Sequence, residues 1–237
     1  MALLTKRLMQ FLASPLNIPE GKSGEWSVAH EVHEAGTCLD VINMRKAIMT
    51  GASPVRIQLA QRRVVHKLLH EGGVVMSDLP VEIADHMEFC GKASGNVLIG
   101  GLGLGYIATK LLQNRRVGRI EVVEKEADVI KLISPHTDCR VKIVHADLFD
   151  YLKTEPLADF DTAYFDIWTS TGEGTWDEYV VPLRRLAHRG NSRMAVSCWA
   201  EDVMVGQYGN SNGIVTGVLF RIASIDPDKL PHFRPHW

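Results

Sequence analysis

The sequence Asn96-Val-Leu-Ile-Gly-Gly-Leu-Gly-Leu-Gly-Tyr-Ile-Ala-Thr-Lys-Leu-Leu112 decides the fold of this chain. Its apolar start predicts a buried strand, its glycine-rich middle predicts a tight turn, and the apolar positions that follow predict a helix. A strand, a glycine turn and a helix in this order place backbone N–H groups and a helix N-terminus beside a ligand, with no side chains to hold the ligand away. The stretch therefore predicts a nucleotide pocket.

Two details narrow the class of ligand. A dinucleotide fingerprint needs a third small residue where this chain has Tyr106, and the stretch lacks the Gly-Lys-Ser/Thr sequence that binds a triphosphate. Downstream, the apolar strand predicted over residues 119–124 ends in Glu124, whose carboxylate can bind two ribose hydroxyls. The pair of signals indicates a ligand that carries adenosine, although taken alone it also fits a tight turn followed by a surface glutamate.

Two further short apolar segments end in acidic residues. Residues 141–147 end in Ala146-Asp147, and residues 160–166 end in Asp166. The carboxyl ends of parallel strands share one edge of an α/β sheet, and ligands of such sheets bind there. Helices are predicted over residues 104–114, 125–133 and 148–153. This alternation predicts a Rossmann-like α/β fold, doubly wound around a mainly parallel sheet.

The order of these motifs resembles that of a known family. Val-Leu-Ile-Gly-Gly-x-Gly-x-Gly, Val-Val-Glu, His-Ala-Asp and Phe-Asp-x-x-x-x-Asp resemble the motifs of class I S-adenosylmethionine-dependent methyltransferases. Within them the chain is similar to the spermidine synthase-like branch, because residues 71–77 and 81–86 are similar to the segment that leads aminopropyltransferases into their glycine loop. The resemblance covers about residues 70–168.

The resemblance implies S-adenosylmethionine as the cofactor and assigns its parts to named positions. The predicted contacts are Gly101, Leu102, Gly103 and Gly105 for the methionine part and sulfonium, Glu124 for the ribose, and Ala146 and Asp147 for the adenine. Asp166 faces the reacting centre in this interpretation. It is the candidate catalytic residue, because a carboxylate there can accept a proton or orient a nucleophile.

Four residues near that centre are candidates for contacts with the substrate, namely His86, Trp168, Thr169 and Ser170. The tryptophan can form an aromatic wall against a flat or cationic substrate, and the two hydroxyl side chains can hydrogen-bond to it. A packed, hydrogen-bonded histidine and a tryptophan that fills the core are the structural alternatives, which the sequence leaves open.

Three departures from the aminopropyltransferase pattern bear on the reaction. Leu104 stands where that family has the aspartate that meets the primary amine of decarboxylated S-adenosylmethionine, and a buried ammonium needs such a partner. The second acid after Asp166 is missing, and Asp85 replaces the usual tyrosine. We therefore predict a methyltransferase that acts on a small molecule. A polyamine aminopropyltransferase and a non-catalytic protein with a relic nucleotide pocket are the alternatives.

The chain is predicted to divide near residue 90. Residues 1–90 are expected to form an amphipathic helix over 1–12 and a small β-rich lobe, and residues 91–237 the domain that binds the cofactor. In the lobe, strands over residues 26–32 and 37–44 are expected to pair across a turn at 34–36. A last, reversed strand is predicted over 215–225. The lobe is a candidate lid for the pocket or a candidate surface for a homodimer.

Composition limits the remaining classes of function. A net charge of −2 makes nucleic acid an unlikely partner, since proteins that bind the phosphate backbone usually carry a basic excess. The chain lacks the roughly 20 consecutive apolar residues of a membrane helix, and its four scattered cysteines fit reduced thiols in the cytoplasm. The histidine pairs His30/His33 and His66/His70 lack the context of a zinc site, so no metal is predicted.

Overall fold

The computed structural model of this protein describes residues 16–172 and 174–205. The helix predicted over residues 1–12 and the strand predicted over 215–225 lie outside these described residues. The sequence-predicted boundary near residue 90 falls within a helix that packs against both halves of the described chain.

The N-terminal half of the described chain is a lobe rich in antiparallel strands. Its strands are β1 (Gly21–Ser23), β2 (Trp26–His33), β3 (Cys38–Ile42), β4 (Val55–Gln58), β5 (Arg63–His70) and β6 (Gly73–Ser77). Four of them form one sheet in the order β1-β2-β5-β6, and β3 pairs separately with β4. The predicted β-rich character of the lobe is confirmed.

The predicted pairing of residues 26–32 with residues 37–44 is wrong. β2 is antiparallel to β1 on one side and to β5 on the other, so β3 finds no free edge there. It pairs with β4 instead. Between these two strands lies a helix that sequence reasoning missed, α1 (Met44–Thr50), whose N-cap Asn43 accepts a hydrogen bond of 2.9 Å from the backbone N–H of Lys46.

The C-terminal half is built on a five-stranded parallel sheet. Its strands are β7 (Gly95–Gly100), β8 (Val117–Glu124), β9 (Val141–His145), β10 (Thr162–Phe165) and β11 (Ala195–Cys198), in the order β11-β10-β7-β8-β9. The helices around it are α2 (Pro80–Lys92), α3 (Tyr106–Leu111), α4 (Ala127–Ile133), α5 (Leu148–Thr154) and α6 (Val181–Gly190).

Alternating side chains of the sheet divide the core into two layers. On β7, Val97 and Ile99 pack with α2, α3 and α4, whereas Leu98 packs with α5 and α6 on the opposite face. Helices therefore cover both faces, and the predicted doubly wound Rossmann-like fold is confirmed. The strand order reverses between β7 and β10, and open α/β sheets bind ligands at such a switch point.

Local backbone geometry shifts two helix boundaries from their predicted positions. Gly105 has a φ of 70° and forms the N-cap of α3, so this helix begins at Tyr106 rather than at residue 104. Helix α4 begins at Ala127, because the preceding Glu126 donates its backbone N–H to the side chain of Glu124. A single π-helical turn, Trp176–Val180, leads into α6. In the part of the chain that the structure describes, no helix combines the length and hydrophobicity needed to cross a membrane.

Candidate nucleotide site and reacting centre

The glycine turn after β7 brings the ends of three strands and part of the lobe together. The backbone N–H of Gly101 donates to the carbonyl of Val123 at 2.9 Å. Gly101 has a φ of 93°, and a Cβ atom there would overlap the carbonyl oxygen of Asp166. A Cβ at Gly103 would likewise overlap the sulfur of Met76. The backbone overlap restricts position 101 to glycine, and the φ of 49° favours glycine at position 103, which explains the motif physically.

The side chain of Glu124 is held in a fixed orientation at the end of β8. It is only 8% exposed, and its Oε2 accepts from the backbone N–H of Leu102 at 2.8 Å. Its Oε1 accepts from the backbone N–H of Glu126, also at 2.8 Å. Each carboxylate oxygen keeps a further lone pair. The arrangement can therefore accept two hydrogen bonds from a diol such as a ribose.

These elements line a cleft of about 460 Å³ at the carboxyl edge of the parallel sheet. This volume falls within the roughly 300–1,000 Å³ of small-molecule sites. The sequence-predicted site residues that line it are Gly101, Gly103, Glu124, Ala146, Asp147, Asp166, Trp168 and Thr169. The lobe contributes Trp26, Leu68, His70, Val75 and Met76, which the sequence did not single out individually.

The predicted adenine contacts lie at the start of α5. Asp147 is the N-cap of this helix, and its Oδ1 accepts from the backbone N–H groups of Phe149 and Asp150 at 2.8 and 3.2 Å. The backbone N–H of Ala146 donates to the carbonyl of Glu124 at 3.0 Å. The capping bonds fix Asp147 at the rim of the cleft, and its contact with adenine stays a prediction.

Trp168 forms one wall of the cleft. It is 8% exposed, and its ring centroid lies 5.8 Å from that of Tyr179. Its indole Nε1 is buried and has no hydrogen-bond partner among the described residues. A buried indole N–H normally finds an acceptor, so a polar group of a ligand fits beside it.

Four predicted site residues lie outside this cleft, namely Ser170, Leu102, Gly105 and His86. Ser170 is exposed, and its Oγ accepts from the backbone N–H of Gly172 at 3.0 Å, which closes a local turn. Leu102 is 5% exposed and belongs to the hydrophobic core, so its contribution is the backbone N–H given to Glu124. Gly105 begins α3 and faces Thr137 and Ile133.

His86 lies in the middle of α2. It is 4% exposed, and its Nδ1 lies 3.0 Å from the hydroxyl of Tyr164. Burial and the nearby charge of Lys46 lower the pKa of His86 to about 4, so its ring is neutral. It lines a small cavity of about 10 Å³ together with Tyr106 and Asp166. Its predicted contact with the substrate is untested.

Asp166 connects this small cavity to the cleft, because it lines both. Its Oδ2 is buried and has no hydrogen-bond partner among the described residues. Burial raises the pKa of Asp166 to about 8, and the carboxylates of Glu82 and Asp85 contribute to the same shift. The free protein therefore holds a largely protonated acid at this position at neutral pH.

The two carboxylates beside Asp166 were missed by the sequence reasoning, although their spacing contained a signal. Glu82, Asp85 and His86 occur at i, i+3 and i+4, and residues at these intervals share one face of a helix. That face of α2 points towards the end of β10. The helical periodicity of this segment places the three side chains in one group.

The raised pKa of Asp166 makes a prediction about stability. The group is protonated in the folded state up to about pH 8, whereas an unfolded aspartate ionises near pH 4. Its contribution to stability is thus full below pH 4 and is lost as the pH rises to 8. Relative to the wild type, Asp166→Asn should become progressively more stable from pH 4 to pH 8. Thermal unfolding across this range measures the difference.

The exposed Asp159 provides the control for that experiment. Asp159→Asn removes one exposed carboxylate and controls for the loss of a charge as such. A difference in melting temperature between Asp166→Asn and the wild type that does not change with pH would contradict the raised pKa.

Leu104 points into the protein. It is a residue at which this chain departs from the aminopropyltransferase pattern. It is 1% exposed, packs in the hydrophobic core and is not among the residues that line the cleft. The turn thus presents no carboxylate to the cleft at this position.

We predict that Leu104→Asp destabilises the protein by several kcal/mol without improving the binding of decarboxylated S-adenosylmethionine. The reason is that it places an unpaired carboxylate in an apolar core. Urea unfolding measures the loss, and Leu104→Met, which conserves volume, should cost under about 1.5 kcal/mol. Wild-type stability in Leu104→Asp would show that this side chain can turn out into the cleft.

No protein-family model matches the chain. No curated protein matches its sequence either. The fold does resemble solved structures, and methyltransferases that use S-adenosylmethionine and spermidine synthases are among them.

Three of these structures illustrate the extent of the likeness. A spermidine synthase in complex with the transition-state analogue AdoDATO is 15% identical over 80% of this chain and 68% of its own, with a TM-score of 0.45. Spermidine synthase from Thermotoga maritima is 15% identical over 79% of this chain and 75% of its own, with a TM-score of 0.38. A SAM-dependent methyltransferase from Archaeoglobus fulgidus is 19% identical over 48% of each chain, with a TM-score of 0.36.

Proposed function

We propose that this protein is a class I S-adenosylmethionine-dependent transferase, and specifically a methyltransferase that acts on a small molecule. The observation that carries the proposal is the placement of Glu124, which is oriented by two backbone N–H groups and lines the same cleft as the glycine turn and Asp166. Glu124 can accept hydrogen bonds from the diol of the ribose. The glycine turn lets the methionine part lie close to the backbone, and Asp166 matches the position of the reacting methyl group.

The residues present fit such a cofactor on two further grounds. Gly101 and Gly103 line the cleft without side chains that would keep a ligand away from the backbone, and the buried Oδ2 of Asp166 lacks a partner in the described chain. Gly101 and Gly103 would lie against the methionine part, Glu124 would hold the ribose, and Ala146 and Asp147 would hold the adenine. When bound, the sulfonium supplies a methyl group that is already electrophilic.

The chain's own residues then have two tasks. The cleft walls, which include Trp168 and Met76, exclude water and hold the acceptor in line with the methyl group. Asp166 must be ionised to act as a base, which a cationic ligand beside it favours, and it then takes up the proton that the attacking oxygen or nitrogen of the acceptor loses. Its raised pKa suits this role, because a base with a pKa near the working pH both accepts and releases a proton readily.

Position 104 is a buried leucine and gives the cleft no carboxylate, which favours methyl transfer over aminopropyl transfer. Decarboxylated S-adenosylmethionine ends in a primary ammonium, which needs a counter-charge in a dry site. Aminopropyl transfer to a polyamine is the second candidate function, because Glu82 and Asp85 add negative charge beside Asp166. A relic pocket without catalysis is the third.

A calorimetric titration of the purified protein with both forms of the cofactor tests these three possibilities. Tighter binding of intact S-adenosylmethionine is the expected result and supports a methyltransferase. Tighter binding of the decarboxylated form would favour the aminopropyltransferase. Binding of neither would overturn both enzyme proposals.

The nature of the acceptor is part of the proposal. Side chains of the lobe, among them Trp26, His70 and Met76, line the same cleft as the cofactor residues. This closure supports a small-molecule acceptor rather than a macromolecule. A homodimer through the lobe and a cytoplasmic location stay predictions.

A further inference from the structure

An ammonium group of the lobe is seated among carboxylates of the Rossmann-like domain. Lys46, on α1, hydrogen-bonds through its Nζ to Oδ1 of Asp85 on α2. The same Nζ lies 3.7 Å from Oδ2 of Asp202, which follows β11. The side chains of Lys46 and Asp85 are only 20% and 14% exposed. This ion pair is therefore largely withdrawn from water, unlike a surface salt bridge.

The ion pair lies beside the reacting centre. Asp85 is followed directly by His86, which lines the small cavity together with Asp166. The charge of Asp85 contributes to the raised pKa of Asp166, and that of Lys46 contributes to the lowered pKa of His86. The ammonium of Lys46 is thus close enough to act electrostatically on the residues around Asp166.

The ammonium of Lys46 pairs with two of the four carboxyl groups that converge here. The four groups belong to Glu82, Asp85, Asp166 and Asp202. Within residues 16–172 and 174–205, Lys46 makes the ion pairs to this group. Glu82 is bound instead by the backbone N–H and the hydroxyl of Ser77, both at 2.6 Å. The carboxyl groups favour a cation at this position, and the ammonium of Lys46 is that cation.

We propose that Lys46 is a specificity-determining residue, whose tethered ammonium fills a cation-binding position beside Asp166 and restricts the enzyme to acceptors that are uncharged at that position. The restriction to acceptors rests on the proposed function, whereas the cation-binding position does not. Although burial opposes it, the carboxylates of Asp85 and Asp202 raise the pKa of Lys46, so the group stays charged at neutral pH. A second ammonium would meet a like charge in place of a free carboxylate, which is discrimination by repulsion.

Removal of the tethered ammonium should open this position to a free one. Lys46→Ala leaves the carboxylate of Asp85 buried without its partner, and the variant should unfold at a lower temperature than the wild type. The probe is butylammonium, which matches the four-carbon stem and the charge of the lost side chain. It should raise the melting temperature of Lys46→Ala in a concentration-dependent way and bind that variant at least tenfold more tightly than the wild type.

Matched controls separate charge from shape. The neutral analogue 1-butanol should not stabilise Lys46→Ala, because it cannot pair with Asp85. Lys67→Ala removes a lysine that pairs with Glu31 within the lobe, and butylammonium should leave its stability unchanged. Where Lys46→Ala fails to fold, Lys46→Met replaces it, with methylammonium and methanol as the probes, because methionine already fills the space of the apolar stem. Equal binding of butylammonium to wild type and variant, or equal binding of both probes to the variant, would overturn the proposal.

A final experiment repeats the titration of Lys46→Ala with butylammonium in the presence of saturating S-adenosylmethionine. Binding of butylammonium that persists in Lys46→Ala shows that its position does not overlap the cofactor, as an acceptor subsite requires. Binding that the cofactor abolishes places Lys46 in the cofactor site and overturns the specificity role. Because the first titration contains no cofactor, a failure of the proposed function appears separately, as a wild-type protein that does not bind S-adenosylmethionine.

Discussion

Replacement of Glu124 by Gln should weaken the binding of S-adenosylmethionine by about a hundredfold. Hydrogen bonds to a charged acceptor contribute about 1.5–3 kcal/mol each, and about 1.4 kcal/mol corresponds to a factor of ten in affinity. Glutamine keeps one acceptor oxygen and turns its NH₂ group towards a backbone N–H, either that of Leu102 or that of Glu126. The variant therefore loses one ribose contact and part of the support of the glycine turn. Calorimetric titration measures the change.

Glu121 offers a matched control on the same strand. It is 3% exposed, accepts from the hydroxyl of Tyr151 at 2.8 Å and pairs with Lys142 at 3.0 Å, away from the cleft. Glu121→Gln should lower the melting temperature and leave the affinity for the cofactor unchanged. Equal affinities of Glu124→Gln and the wild type would remove the central support of the proposed function.

Binding of the cofactor should release a proton from the protein below pH 8. Asp166 is largely protonated in the free protein because burial raises its pKa to about 8, and an incoming sulfonium favours its ionised form. A ligand that must expel one proton loses at most a factor of ten in affinity per pH unit. From pH 6 to pH 8 the affinity should therefore rise by up to about a hundredfold.

Titrations in two buffers of different ionisation enthalpy measure the released proton directly. Asp166→Asn should show a flatter dependence on pH and a smaller difference between the buffers. The amino group of the ligand titrates equally with both proteins, so the difference between them isolates Asp166. Identical buffer effects in wild type and variant would show that Asp166 does not respond to the bound cation.

These two results would identify different halves of the site. Glu124 reports on the adenosine half, where the geometry is fixed by backbone hydrogen bonds. Asp166 reports on the reacting half, where three carboxyl groups and Lys46 set the electrostatics. A protein with a relic pocket would fail in the first experiment, and an enzyme that uses another base would fail only in the second.

The sequence by itself determined the fold class and the edge of the sheet at which the cleft lies. Strand β7, the glycine turn and the acidic ends of β8 and β10 are local patterns, and parallel topology brings the ends of such strands together. Positive φ angles at Gly101 and Gly103 could be anticipated for the same reason, since the glycines are spaced for a tight turn. The prediction of Glu124 and Asp166 as neighbours across one cleft followed from these local signals alone.

Only the tertiary structure decided which side chains face one another across distant segments. The pairing of β3 with β4 depended on the occupied edges of β2, and the inward direction of Leu104 depended on where α3 begins. The contact of Lys46 with Asp85 joins residues 39 positions apart. Burial and charge, which set the pKa of Asp166, are sums over all neighbours in space, so no local pattern encodes them.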